Sequence, residues 1–97
     1  MPRIIYSGKA LDDLKRLHAF LAEKDKERAR SAIKTIRDEL RKIALFPERF
    51  RPVENMIDHR EAIIDFGSSG YIARFRHVPN SDITIARIRH QLENNFK

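Results

Sequence analysis

Four arginines, Arg74, Arg76, Arg87 and Arg89, stand as two pairs with one residue between the members of each. On a β-strand that spacing puts both members of a pair on the same face. Guanidinium groups gathered on an open surface dock carboxylates or phosphates through paired hydrogen bonds. They are equally able to form cross-strand pairs with Glu61 and Asp65 on a solvated face. His90 and Gln91 follow the second pair. An imidazole can act as a general base. No carboxylate lies at a telling spacing from His90, however, and the plainer reading is an inward histidine that hydrogen-bonds the backbone where the last strand ends. No two of His18, His59, His77 and His90 have ligand spacing on one element, so no metal site is expected. The chain has no cysteine, hence no thiol nucleophile, no disulfide and no Cys-ligated zinc.

Ninety-seven residues allow one domain, 1–97, with one core, and exclude an enzyme with a cleft between two domains. No apolar run reaches the 18 residues of a membrane span. The opening Met-Pro-Arg-Ile-Ile-Tyr lacks the apolar region of a signal peptide. A cytoplasmic protein is expected. At 41% hydrophobic residues the chain can build a core. The formal charge of +6 suggests an acidic partner. Residues 1–45 carry 12 Lys+Arg against 7 Asp+Glu, and residues 46–97 carry 8 against 7. From Arg49 to Arg89 every basic residue is arginine, whose planar, weakly hydrated fork suits recognition surfaces. The first half reads as a mixed-charge scaffold and the second as nearly neutral but arginine-selective.

The elements that must position these groups follow from periodicity. Residues 3–6 form a short β-prone stretch. Ser7 is a good N-cap, and Leu11, Leu14, Leu17, His18 and Leu21 recur at helical spacing, predicting a helix over about 8–22. Asp12 and Asp13 are assigned to its first turn, where they would favour the helix dipole. Ala29, Ile33, Ile36, Leu40 and Ile43 form a second helical stripe, opposite a basic face of Arg30, Lys34, Arg37, Arg41 and Lys42, and Pro47 stops this helix. The short charged turn between the helices predicts an antiparallel hairpin. Residues 46–59, with two prolines and little periodicity, read as a long loop anchored by Phe46, Phe50 and Met56.

Three strands are predicted next: Arg60 to Phe66, Tyr71 to Val78 and Ile83 to His90, joined by tight turns into an antiparallel meander. The order β-α-α-β-β-β describes an α+β domain, with the helical hairpin on one sheet face. Tyr71, Ala73 and Phe75 should meet the helices, since none is charged. Arg74, Arg76, Arg87 and Arg89 then face outward with Ile72, while Ala86 and Ile88 point inward. In a strict period of two, Ile83 and Ile85 fall on the arginine side. Either a bulge shifts the register or they make an apolar patch beside the arginines. Ile63, Asp65, Ile72 and the arginines would share one open surface of mixed apolar and cationic character, a plausible binding surface.

Several segments together resemble the RelE/ParE superfamily of bacterial toxins from type II toxin–antitoxin systems. They are Ile5-Tyr6-Ser7 with Ala10-Leu11-Asp12-Asp13-Leu14, the helical hairpin, Phe46-Pro47-Glu48-Arg49-Phe50-Arg51, Gly70-Tyr71 opening a strand that ends Arg74-Phe75-Arg76, and Ile85-Ala86-Arg87-Ile88-Arg89-His90-Gln91. Their order spans nearly the whole chain. The resemblance implies one of two activities. One branch cleaves mRNA on the ribosome; the ParE-like branch poisons DNA gyrase. Where the ribonuclease branch carries cations on the first meander strand, after the Gly-Tyr and past the last strand, and a Tyr near the C-terminus, this chain has Ile63 and Asp65, Ile72, Gln91, and Phe96 or Lys97. Ile72 cannot stabilise an anion and Asp65 would repel phosphate. The ending Arg87-Ile88-Arg89-His90-Gln91 is similar to the ParE-like branch.

The resemblance therefore implies a toxin with no cofactor and no chemistry of its own, which traps gyrase on cleaved DNA. A cognate antitoxin would neutralise it by covering Ile63, Ile72, Arg74, Arg76, Arg87, Arg89 and Gln91 and the hairpin groove. Operator DNA would be reached only through the antitoxin, in a homodimer or higher toxin–antitoxin assembly. The alternatives are an endoribonuclease using Arg74, Arg87 and His90, or a non-toxic relic that keeps the antitoxin. The acidic partner implied is the antitoxin tail.

Overall fold

A computed structural model describes residues 2–93 and 96. Strand β1 (Ile4–Tyr6) leads into helix α1 (Gly8–Ala22), then α2 (Lys26–Lys42), then short 3-10 turns at Ile43–Leu45 and Pro47–Arg49. Strands β2 (Arg51–Pro52), β3 (His59–Phe66), β4 (Ser69–His77) and β5 (Ile83–His90) complete the chain. The sheet order is β1-β5-β4-β3-β2, with β1 parallel to β5 and the other pairs antiparallel. This is the predicted α+β arrangement, with one strand added.

Each helix begins at a side-chain cap. Ser7 Oγ accepts from the Ala10 N–H, and the Asp25 carboxylate from the Arg28 N–H. The stripes face the sheet: Leu14, Leu17, Ile36, Leu40 and Ile43 are buried with Tyr71, Ala73 and Phe75 from β4. Leu11 and His18, placed in the first stripe, are exposed, and Ile33 of the second is only half-buried; Ala10 and Ala32 take fully buried places instead. No helix among the described residues is long and apolar enough to cross a membrane.

The structure corrects the sequence reading in three places. Residues 46–59 are not one loop. Arg51 and Pro52 pair with Glu61 and Arg60, and the Val53 N–H donates to the His59 carbonyl at 2.9 Å. Asn55 and Asp58 take left-handed φ angles of 65° and 62°, which Asn and Asp tolerate best among residues with a Cβ, and so close the turn. A two-residue strand carries no periodicity, so no pattern announced it.

Asp12 and Asp13 lie beyond the first turn of α1, which holds no acid, and Asp13 is buried. The third correction is Ala86. The pairing of β4 with β5 runs Arg74 to Arg87 but Phe75 to Ile85, so Ala86 is the extra residue of a β-bulge and is half-buried, not inward. The bulge resets the alternation: Ile83, Ile85 and Ile88 all reach the core.

Candidate partner-binding face

The sheet face away from the helices is built in rows across β3, β4 and β5. Backbone register aligns His59, Arg76 and Thr84 in one row, Glu61, Arg74 and Arg87 in the next, and Ile63, Ile72 and Arg89 in a third. Six of the seven expected partner residues, Ile63, Ile72, Arg74, Arg76, Arg87 and Arg89, thus come together on one surface. Ile63 is 60% exposed there. Gln91 lies just past β5, where its N–H donates to the Gly70 carbonyl at 2.9 Å and prolongs the ladder.

The arginines are not equivalent. Arg74 donates from Nε and Nη2 to Glu61 Oε2 at 3.2 and 2.9 Å, and Arg51 lies 3.7 Å from the other oxygen of the same carboxylate. Arg87 donates from Nε and Nη2 to the two oxygens of Asp13 at 2.9 and 3.2 Å. Nη1 of Arg89 reaches the carbonyls of Glu93, His90 and Gln91 at 2.5, 3.3 and 3.5 Å, tying down the chain after β5. Arg76 is exposed and has no ion pair among the described residues. The Phe96 ring centre lies 4.6, 5.5 and 5.4 Å from the guanidinium carbons of Arg74, Arg87 and Arg89. An aromatic face attracts cations, so this ring covers the middle of the arginine cluster. Lys97, the alternative to Phe96 in the family comparison, lies outside the described residues.

Asp13 is the residue that sequence reasoning misplaced, and the geometry explains its importance. β1 pairs with β5 only as far as Ile85, so the outer edge of β5 is open beyond that point. The chain turns there into α1, which closes the edge. Ser7 Oγ donates to the Ala86 carbonyl at 2.9 Å, and the Ile88 N–H donates to Asp13 Oδ2 at 2.8 Å. Arg16 adds a contact to Asp13 at 3.2 Å and binds Glu93 at 2.6 Å. Burial acts to raise the Asp13 pKa, but hydrogen bonds from Arg87, the Ile88 N–H and Arg16 together outweigh it and hold the carboxyl below its usual range. The Arg87 pKa is correspondingly raised, chiefly by its hydrogen bond to Asp13.

His90 does not join the arginines. It pairs with Tyr71 on the helix side, rings edge to face at 5.3 Å, and borders a hollow with Leu17 and Phe20 of α1. The Leu92 N–H donates to His90 Nδ1 at 3.1 Å, so in the neutral ring the proton sits on Nε2 and is given to Ser69 Oγ, 2.9 Å away. That polarity is opposite to what activation of a serine nucleophile needs. The weak catalytic set Arg74, Arg87 and His90 is therefore split between two sheet faces. No group of three metal-ligating side chains occurs among the described residues.

Comparison with known proteins agrees with this architecture. A family model described as the ParE toxin of the type II toxin–antitoxin system parDE matches residues 4–95. A solved structure described as the chromosomal ParDE toxin–antitoxin system from P. aeruginosa superposes with a TM-score of 0.78 at 22% identity, covering 93% of this chain and 96% of that one. No curated protein matches the sequence.

Proposed function

Because the chain belongs to the ParE toxin family of type II toxin–antitoxin systems, we propose that a cognate antitoxin neutralises it by occupying the arginine face and the hairpin groove, and that the free toxin binds DNA gyrase. The observation that carries the antitoxin reading is the pairing of Ile63 with Ile72, with Arg89 at the end of their row and Arg74 and Arg87 in the next, and with Ile63 60% exposed. An apolar strip rimmed by guanidinium groups suits a peptide that brings apolar and acidic side chains together. The gyrase reading is supported by the family resemblance and by Ile72 and Gln91, which replace cations that ribonucleolytic relatives place at those positions.

The test is the Arg74→Glu/Arg76→Glu double variant, titrated with the antitoxin encoded beside the toxin gene. Its affinity is expected to fall by at least tenfold at low salt, with the gap narrowing as salt screens the contacts. An unchanged dissociation constant at low salt would remove this surface from the interface.

A further inference from the structure

The cations of the open face differ in whether a carboxylate already answers them. In the middle row Glu61 engages Arg74, and Asp13 engages Arg87 from α1. The next row, His59, Arg76 and Thr84, contains no acid. It forms the floor of a groove of about 550 Å³ that Lys9 and Arg87 border and to which Ala86 contributes. No carboxylate lines this groove among the described residues. Each of four further surface hollows, of about 290 to 740 Å³, includes at least one of Glu48, Asp58, Asp82 and Glu93. Positive charge is thus less compensated in this groove than in those four hollows.

The lining also indicates what kind of anion fits. Nothing apolar larger than Ala86 borders the groove, so it has no pocket for the apolar side chains of a peptide. It has instead two guanidiniums, an ammonium, two hydroxyls and an imidazole drawn from separate segments. The Nδ1–H of His59 donates to the Ile57 carbonyl at 2.8 Å, which fixes the ring. Phosphodiester backbones are bound by such separated cations and hydroxyls, without side-chain pockets.

We propose that this groove contacts the phosphodiester backbone of a nucleic acid directly, through Arg76 and Lys9 with His59 and Thr84 beside them. The toxin would then add its own phosphate contacts wherever it meets DNA, independently of any antitoxin.

The proposal is tested with the full chain, without antitoxin, by fluorescence anisotropy on a labelled 16-base-pair duplex and on one of its single strands, as a function of salt. Binding to at least one probe is expected, with log Kd rising linearly with log salt. Arg76→Glu should weaken it about tenfold and lower the salt slope by about 0.9 on the duplex, or about 0.7 on the single strand, the share of one phosphate. Lys9→Glu should act in the same direction. Both side chains are exposed, so neither variant endangers folding. Lys15→Glu, an equal charge change on exposed α1 surface outside the groove, should leave the slope unchanged. The preferred probe identifies the form of nucleic acid. Three results would overturn the proposal: no salt-dependent binding to either probe, equal losses for Lys15→Glu and Arg76→Glu, or displacement by polyglutamate at lower concentration than by unlabelled nucleic acid. Antitoxin binding is not measured, so failure here leaves the neutralisation reading intact.

Discussion

Asp13 does the most structural work of any single side chain. Only 4% exposed, it accepts from two arginines and from a strand N–H, so one carboxylate fastens α1 to the edge of β5. Its pKa is lowered in the folded state, so the stability it confers is present above the unfolded value of about 3.9 and is lost as pH falls through the lower folded value. Asp13→Asn is expected to cost about 3 kcal/mol in urea unfolding at pH 7, because Arg87 and Arg16 lose a buried counter-charge. The variant's stability should also lose less than the wild type's as pH drops below about 4. An equal loss in both proteins on acidification would show that other carboxylates govern the acid limb. The sequence displayed Asp13 beside Asp12 as an ordinary acidic pair. Helical spacing puts Asp13, three residues after Ala10 and four before Leu17, on the buried face and Asp12 off it, but the partners that hold Asp13 lie on a strand edge 75 residues away.

At the scale of elements, the β5 bulge decides which residues meet a partner. With Ala86 paired as an ordinary strand residue, a strict alternation could not bury both Ile85 and Ile88 while keeping Arg87 and Arg89 outward. Deleting Ala86 would let Ile83, Ile85 and Ile88 alternate strictly with Thr84, Arg87 and Arg89, so the deletion is expected to keep the face assignment and cooperative unfolding, measured in urea. A deletion variant that loses cooperative unfolding or exposes apolar surface to a dye would show that the bulge itself, and not the alternation, holds β5 in place. The β3–β4 hairpin carries a second constraint. A Cβ on Gly70 would lie 2.0 Å from the Ile64 carbonyl oxygen, so Gly70→Ala should destabilise by roughly 1–3 kcal/mol, measured by the denaturation midpoint. The need for either a bulge or an apolar patch was legible in the sequence, because Ile83 and Ile85 broke the period. Which alternative applies was not legible, since a bulge is a property of two paired strands. The pairing of β2 was hidden for a similar reason: Arg51 and Pro52 are strand only because β3 lies beside them.

For the whole molecule, the arginine face and the His90 cluster lie on opposite sides of the sheet. Purified toxin is therefore expected to leave mRNA intact in a translation extract and, on the proposed reading, to inhibit supercoiling by gyrase. Cleavage of mRNA that disappears on Arg87→Ala would reverse that reading, provided urea unfolding shows the variant still folded. The check on folding matters because Arg87 also holds Asp13. The charge of the molecule has a more definite meaning than its total of +6 suggests. On the sheet face Arg74 and Arg87 are answered by carboxylates and Arg89 by backbone carbonyls, while Arg76 has neither among the described residues.

By itself the sequence determined the order of elements, most of both helix stripes, the inward face of β4 and the grouping of the arginines. Each of these depends on period, composition or chain order, which are local. Tertiary structure alone decided the place of Asp13, the bulge at Ala86, the added strand β2, the contact of Phe96 with three arginines, and the separation of His90 from them. Each of these depends on which distant segment satisfies a backbone group, a charge or a ring. Such pairings involve residues tens of positions apart, and no window along the chain contains both partners.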